Sequence, residues 1–135
     1  MWQIRPARAQ DEEAVLQLWR SVGLGKAEAD EWRAIISGPG ATLLVAEAGG
    51  ALAGTAVAAF DGWRAHIYHV AVTPTQQRRG LAKALMAEAE LHAYERGARR
   101  VYAMVSEDNI GGLALAAATG YEPNGDVVFV KDLSS

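Results

Sequence analysis

Hydrophobic residues recur with two spacings along this chain, and the spacing predicts where helices and strands lie. Recurrence at helical spacing, as at Val15, Leu18, Trp19 and Val22, is typical of a helix with one buried face. Short alternating or continuous apolar runs between Gly, Pro and Asp are typical of strands. Helices are predicted over residues 11–22, 27–37, 80–95 and 109–119. Strands are predicted over residues 2–5, 42–47, 52–60, 66–72, 101–105 and 127–131.

The order of these elements predicts one α/β (α+β) domain over residues 1–135, with the sequence β-α-α-β-β-β-α-β-α-β. Gly49-Gly50 is a hairpin signal, so three successive central strands are expected to be antiparallel. The strand, long helix and strand that follow are expected to form a right-handed parallel crossover. The sheet is therefore predicted to be mixed and mostly antiparallel, with helices covering it.

The composition of the chain argues against several classes of function. The net charge of −3 argues against a protein that mainly coats nucleic acid, which needs a basic surface. The chain has no cysteine, which excludes disulfides and a thiolate nucleophile or metal site. The three histidines, His66, His69 and His92, have no zinc-ligand spacing, so no metal is expected. With no apolar run of membrane length and no signal peptide pattern, a cytoplasmic protein without a membrane partner is expected.

The start of the long predicted helix has the features of an anion-binding site. Gln77, Arg78, Arg79, Gly80 and Ala82 lie between a strand end and that helix. The first N–H groups of a helix have no internal partner, and the helix dipole favours an anion there. Gly80 allows close approach of a phosphate. On these residues alone, a phosphate site and a solvated basic loop remain alternatives, while the Rossmann and nucleoside-triphosphate loop patterns are absent.

The wider context resembles the GNAT superfamily of acetyltransferases. Gln77-x-x-Gly80-x-Ala82 is similar to the family's Q/R-x-x-G-x-G/A signature and follows a Val-x-Val-x-Pro strand end, as in that family. The segments EDN at 107–109 and ATGYE at 118–122 resemble its downstream motifs, and the order of elements resembles the GNAT fold. The resemblance implies an acetyl-CoA-dependent N-acetyltransferase that transfers an acetyl group directly to a primary amine of a small molecule or peptide.

The resemblance also implies roles for individual residues. The backbone of Val70, Ala71 and Val72 would bind the pantetheine arm, and Asn109 would bind it from the other side. The loop and first helical turn would hold the pyrophosphate, with Gln77 in the signature. The backbone N–H groups involved are those of Arg78, Arg79, Gly80, Leu81, Ala82 and Lys83. The acceptor is unknown, and the first two helices would cover its site, with Leu24, Trp32 and Trp63 as candidate lining residues. A homodimer is compatible with this interpretation.

One position departs from the family. The tyrosine that often protonates the CoA thiolate would fall at Ala116, which has no acidic group. Tyr68, Tyr102 and Tyr121 are the candidate replacements. Tyr68 and His69 also lie where related enzymes often carry a general base, and they are the predicted catalytic pair. Water as the proton donor, and a catalytically weak CoA-binding or regulatory module, remain alternatives.

Overall fold

The fold is seen in a computed structural model that describes residues 1–24 and 29–133. The strands are β1 (Gln3–Pro6), β2 (Ala41–Ala48), β3 (Ala51–Phe60), β4 (Ala65–Val72) and β5 (Val101–Ala103). The helices are α1 (Glu12–Ser21), α2 (Ala29–Ser37), α3 (Leu81–Glu95) and α4 (Ile110–Ala118). Predicted and observed bounds differ by one or two residues for most elements. Residues 27 and 28, at the predicted start of the second helix, lie outside the described residues.

The five strands form one sheet in the order β1-β2-β3-β4-β5. Neighbouring strands are antiparallel from β1 to β4, whereas β4 and β5 are parallel. The β2–β3 hairpin turns at Gly49 and Gly50, whose φ angles of 61° and 83° suit glycine. The predicted mixed, mostly antiparallel sheet and its parallel crossover are therefore confirmed.

Helices bury both faces of the sheet. On one face, Leu81, Leu85 and Met86 of α3 pack against the inward side chains of β2, β3 and β4. On the other face, α1 and α2 pack through Trp19 and Trp32 and their apolar neighbours. This arrangement explains the helical periodicity of α1, α2 and α3, because each of these helices buries apolar side chains on one side. It also places β4, which lies between β3 and β5 in the sheet, with a helical layer on either side.

The predicted last strand is wrong. Residues 127–131 pair with no strand of the described chain, and the side chains of Val127, Val128, Phe129 and Val130 are 67–90% exposed. A continuous run of β-branched and aromatic residues indicates strand propensity, but a strand forms only where another strand edge accepts its hydrogen bonds. The strand β5 is also shorter than predicted, since residues 104 and 105 are not paired.

Candidate active site

A β-bulge shapes the middle of β4. Thr55 of β3 lies opposite Ala71, and Val57 lies opposite Tyr68, so Ala56 alone faces both His69 and Val70. The bulge gives His69 a φ of 51°, in the left-handed region that residues other than glycine rarely adopt. Bulges bend a strand and re-aim its side chains, and they are frequent next to active sites.

The bulge places two consecutive side chains on the same face of the sheet. Ile67 and Val70 pack towards α3, while Tyr68 packs with the core on the α1 and α2 side. The next side chain, that of His69, also lies on the α1 and α2 side, where its ring meets Trp19. In a regular strand it would point the other way. Tyr68 and His69 thus enter one pocket of about 390 Å³. The other lining residues are Trp19, Leu24, Glu31, Ala34, Ile35 and Val57.

The surroundings of these two side chains set their protonation states. Burial lowers the pKa of His69 below its ordinary value of 6.5, while a hydrogen bond to the Leu24 backbone acts in the opposite direction. Burial raises the pKa of Tyr68 above 10.0. At neutral pH His69 is therefore mainly a neutral base, and Tyr68 is a protonated hydroxyl. Their rings meet edge to face, with centroids 5.5 Å apart.

The strands β4 and β5 diverge beside this pocket. They pair only through Ala65 with Val101, His66 with Tyr102 and Ile67 with Ala103. Beyond Ile67, β4 continues to Val72, but no strand of the described chain pairs with its edge on that side. The free edge offers main-chain hydrogen bonds to an extended ligand, as a strand edge does to an added strand.

The free edge leads directly to the start of α3. Gly80 is the N-cap of this helix, with a φ of 85°, and no side chain caps the helix there. Arg78 also has a positive φ, of 65°, and Gln77 Nε2 donates to the Val72 carbonyl at 3.1 Å. A Cβ added at Gly80 would meet no atom within 4 Å, so the space above the helix start is open. Exposed Arg78 and Arg79 add positive charge to this open helix N-terminus, which suits a phosphate group.

Within residues 1–24 and 29–133, no group of three or more His, Asp or Glu side chains is arranged to hold a metal ion. Of the helices in the same ranges, none has the length and apolar character needed to cross a membrane.

Similarity to known proteins identifies the family of this chain. The sequence model of the Acetyltransferase (GNAT) family matches residues 9–121. The chain belongs to the GNAT acetyltransferases. It is 33% identical to an acetyltransferase of Pectobacterium atrosepticum, with 89% of this chain and 87% of the relative covered. It is also 33% identical to an acetyltransferase of Photorhabdus laumondii, with 97% and 95% covered.

A solved structure shows the same fold. The aminoglycoside acetyltransferase AAC(6')-Iy, bound to a bisubstrate analogue of CoA and acetylneamine, superposes with a TM-score of 0.83. The sequence identity is 20%, and 99% of each chain is covered. Membership of the family establishes an acetyltransferase whose cosubstrate is acetyl-CoA. The residues present fit that cosubstrate, because the open β4 edge and the open start of α3 are continuous.

Some sequence-predicted residues of this GNAT acetyltransferase lie elsewhere or have another contact. Asn109 is the N-cap of α4, and its side-chain oxygen accepts from the Gly112 N–H at 3.0 Å. Tyr102 stacks on His66, and the Tyr121 hydroxyl donates to Glu90 at 2.7 Å. Of the three candidate replacements for Ala116, Tyr68 alone lines the 390 Å³ pocket.

The three residues predicted as candidates to line the acceptor site also differ in where they lie. Leu24 lines the 390 Å³ pocket. Trp32 is 2% exposed and belongs to the core, while Trp63 is 69% exposed and lies under the Arg64 guanidinium at 3.9 Å.

Sequence reasoning missed Thr55 and Trp19 as parts of the site. Thr55 is a fully buried polar residue within the apolar β3 strand. A lone threonine in an apolar run was the available signal, because a buried hydroxyl requires hydrogen-bond partners.

Proposed function

We propose that this GNAT acetyltransferase moves an acetyl group directly from acetyl-CoA to the primary amine of a small molecule. The observation that carries the proposal is the pocket in which Tyr68 and His69 lie together beside the free edge of β4. A proton acceptor and a proton donor at one opening of the sheet are what direct acyl transfer to an amine requires.

The chain's own backbone binds the cosubstrate in this proposal. Val70, Ala71 and Val72 offer main-chain groups to the pantetheine arm along the free edge. The N–H groups from Arg78 to Lys83 bind the pyrophosphate at the start of α3. Gln77 helps to position this loop, because its side chain holds the Val72 carbonyl. Asn109 contributes mainly by stabilising the first turn of α4, which its side chain caps.

The proposed reaction uses neither a metal ion nor a covalent enzyme intermediate. The amine nitrogen attacks the thioester carbonyl carbon, so a C–N bond forms and the C–S bond breaks. The proton leaving the amine goes to the imidazole of His69, which burial keeps neutral. The departing thiolate takes a proton from the Tyr68 hydroxyl, which burial keeps protonated. Transfer of the proton gained by His69 to the Tyr68 phenolate, directly or through water, restores both groups for the next turnover. Proximity of the two substrates supplies much of the acceleration.

The pocket lining favours a compact amine with an apolar body. Trp19, Leu24, Ile35 and Val57 form apolar walls, and Glu31 supplies a carboxylate at the same pocket. A volume of about 390 Å³ is at the small end of ligand pockets. A polycationic sugar would leave several ammonium groups against apolar walls, where burial of an unpaired charge is costly.

The test measures CoA thiol release from acetyl-CoA with a panel of acceptors. The panel contains phenethylamine, neamine and a short peptide with a free N-terminus. We expect phenethylamine to give the highest kcat/KM. The His69→Gln variant should lose roughly 100-fold in kcat or more, and Tyr68→Phe roughly 10-fold, with CoA affinity unchanged. His66→Gln and Tyr102→Phe are the matched controls, because these two rings stack on each other at a centroid distance of 5.4 Å, outside the lining residues.

The second candidate function is a CoA-binding or regulatory module, which Ala116 favours because the usual proton donor is missing. Tight CoA binding without amine-stimulated thiol release would support this candidate and contradict the enzyme proposal. A preference for neamine would contradict the apolar acceptor and leave the acetyl transfer itself supported.

A further inference from the structure

A buried hydrogen-bond chain connects α1 to the bulge of β4. The indole N–H of Trp19 donates to the Thr55 hydroxyl at 2.9 Å. The Thr55 hydroxyl in turn donates to the main-chain carbonyl of His69 at 3.0 Å. Trp19 is 2% exposed, and Thr55 is fully buried. The indole N–H and the hydroxyl therefore depend on these hydrogen bonds, because both residues are buried from water.

Trp19 also contacts the imidazole ring itself. The ring centroids of Trp19 and His69 are 4.7 Å apart, and the ring planes meet at 81°. This edge-to-face geometry is the favoured arrangement of aromatic rings. Trp19 thus touches the His69 ring directly and reaches the His69 carbonyl through Thr55. The two contacts restrict both the backbone and the side chain of one residue.

The backbone of His69 needs such restriction. A φ of 51° is strained for a residue with a Cβ, and it persists only where surrounding contacts enforce it. If His69 relaxed to an extended conformation, regular alternation would return and its ring would turn towards the α3 face. The bulge therefore determines whether His69 shares the pocket with Tyr68. The Thr55 hydroxyl donates a hydrogen bond to the main-chain carbonyl of His69 within this bulge.

We infer that Trp19 and Thr55 are positioning residues that hold the β4 bulge and thereby aim the His69 imidazole at the acceptor amine. The inference rests on the proposed role of His69 as proton acceptor. Neither residue touches the reacting atoms in this inference. The effect of Thr55 passes through the His69 carbonyl, and that of Trp19 passes through the His69 ring in addition to the pocket wall that Trp19 forms. A displacement of about 1 Å at a group such as His69 can cost roughly 100-fold in rate.

A purely structural role for Thr55 makes a different prediction. A buried threonine that only stabilises the core would lower the unfolding temperature when replaced, but it would leave the titration of a folded protein's His69 unchanged. The titratable groups that share the pocket with His69 are Tyr68 on β4 and Glu31 on α2. Both are retained in every variant below, so a changed His69 titration reports a changed position of the ring.

The experiment uses the full chain and three variants. Thr55→Val keeps the shape and removes the hydroxyl, Thr55→Ser keeps the hydroxyl and removes the methyl, and Trp19→Phe keeps an aromatic edge and removes the N–H. For each, NMR gives the His69 pKa from its imidazole proton shifts. Calorimetry gives the CoA dissociation constant, and thiol release gives kcat and KM with phenethylamine. Circular dichroism confirms that each variant is folded.

We expect Thr55→Val to raise the His69 pKa towards 6.5 and to lower kcat by about 10-fold to 100-fold, with the CoA dissociation constant unchanged. Thr55→Ser should keep the wild-type titration and lie within about threefold in kcat. Trp19→Phe should shift both values in the direction of Thr55→Val by a smaller amount. If Thr55→Val does not fold, the comparison of Trp19→Phe with Thr55→Ser carries the test.

The inference is overturned if folded Thr55→Val, or Trp19→Phe in its place, has the wild-type His69 titration and kcat. It is also overturned if Thr55→Ser changes both as much as Thr55→Val does, because shape and not the hydroxyl would then be responsible. A fully active His69→Gln enzyme would instead contradict the proposed base. In that case the His69 titration still decides whether Thr55 positions the ring.

Discussion

The contact between α3 and β3 at Gly54 provides a quantitative test of how α3, the helix proposed to bind CoA, is placed. A Cβ added at Gly54 would lie 2.8 Å from the Ala71 carbonyl oxygen, 2.9 Å from Leu85 Cδ1 and 3.2 Å from Leu81 Cδ2. The first of these atoms belongs to the backbone of β4, so it cannot move aside cheaply. Both leucines lie in the first half of α3, and Leu81 is its first residue.

Gly54→Ala must therefore push the start of α3 away from the sheet or distort β4. Overpacking of this kind costs about 1–3 kcal/mol. For a domain of this size, such a loss lowers the unfolding temperature by roughly 3–10 °C. The same displacement moves the N–H groups proposed to bind the pyrophosphate, so we expect CoA affinity to fall by about tenfold, equivalent to about 1.4 kcal/mol.

Thermal unfolding followed by circular dichroism and calorimetric titration with CoA measure the two effects. Gly40→Ala is the matched control, because a Cβ at Gly40 meets no atom within 4 Å and its φ is not in the left-handed region. This control should keep its CoA affinity and should unfold at the same or a slightly higher temperature. If Gly54→Ala matches Gly40→Ala in both assays, the close packing of α3 on β3 is not what places the CoA site.

The remaining predictions concern two polar contacts outside the pocket. The hydrogen bond from Arg5 lowers the pKa of Asp11 below 3.8. The interaction between Arg5 and Asp11 therefore stabilises the fold fully above pH 3.8, and this stabilisation is lost as the pH falls through the lowered pKa. Asp11→Asn should reduce the unfolding free energy at pH 7 by on the order of 1 kcal/mol, and urea denaturation should show the difference disappearing in acid. An unchanged difference at pH 2 would contradict this. Tyr121→Phe should cost about 1 kcal/mol of stability, because its hydroxyl donates to Glu90. Its kcat should match the wild type at every pH, and a loss like that of Tyr68→Phe would show that the wrong tyrosine has been assigned.

The sequence by itself determined most of the secondary structure and predicted where the proposed cosubstrate site begins. Helical periodicity, the Gly49-Gly50 turn and the segment from Gln77 to Ala82 are local signals. Each element depends on side chains a few residues apart, so its existence and type are readable without knowing the fold. The segment also predicted an anion site, since the unpaired N–H groups of a helix start belong to the helix alone.

The tertiary structure decided which groups line the candidate active site. The bulge that turns His69 towards Tyr68 arises from the register between β3 and β4, and Thr55 bonds it from the neighbouring strand. Pairing also decided that residues 127–131, although strand-like in pattern, lie outside the sheet of the described chain. Such features depend on contacts between residues distant along the chain, and local periodicity carries no information about them.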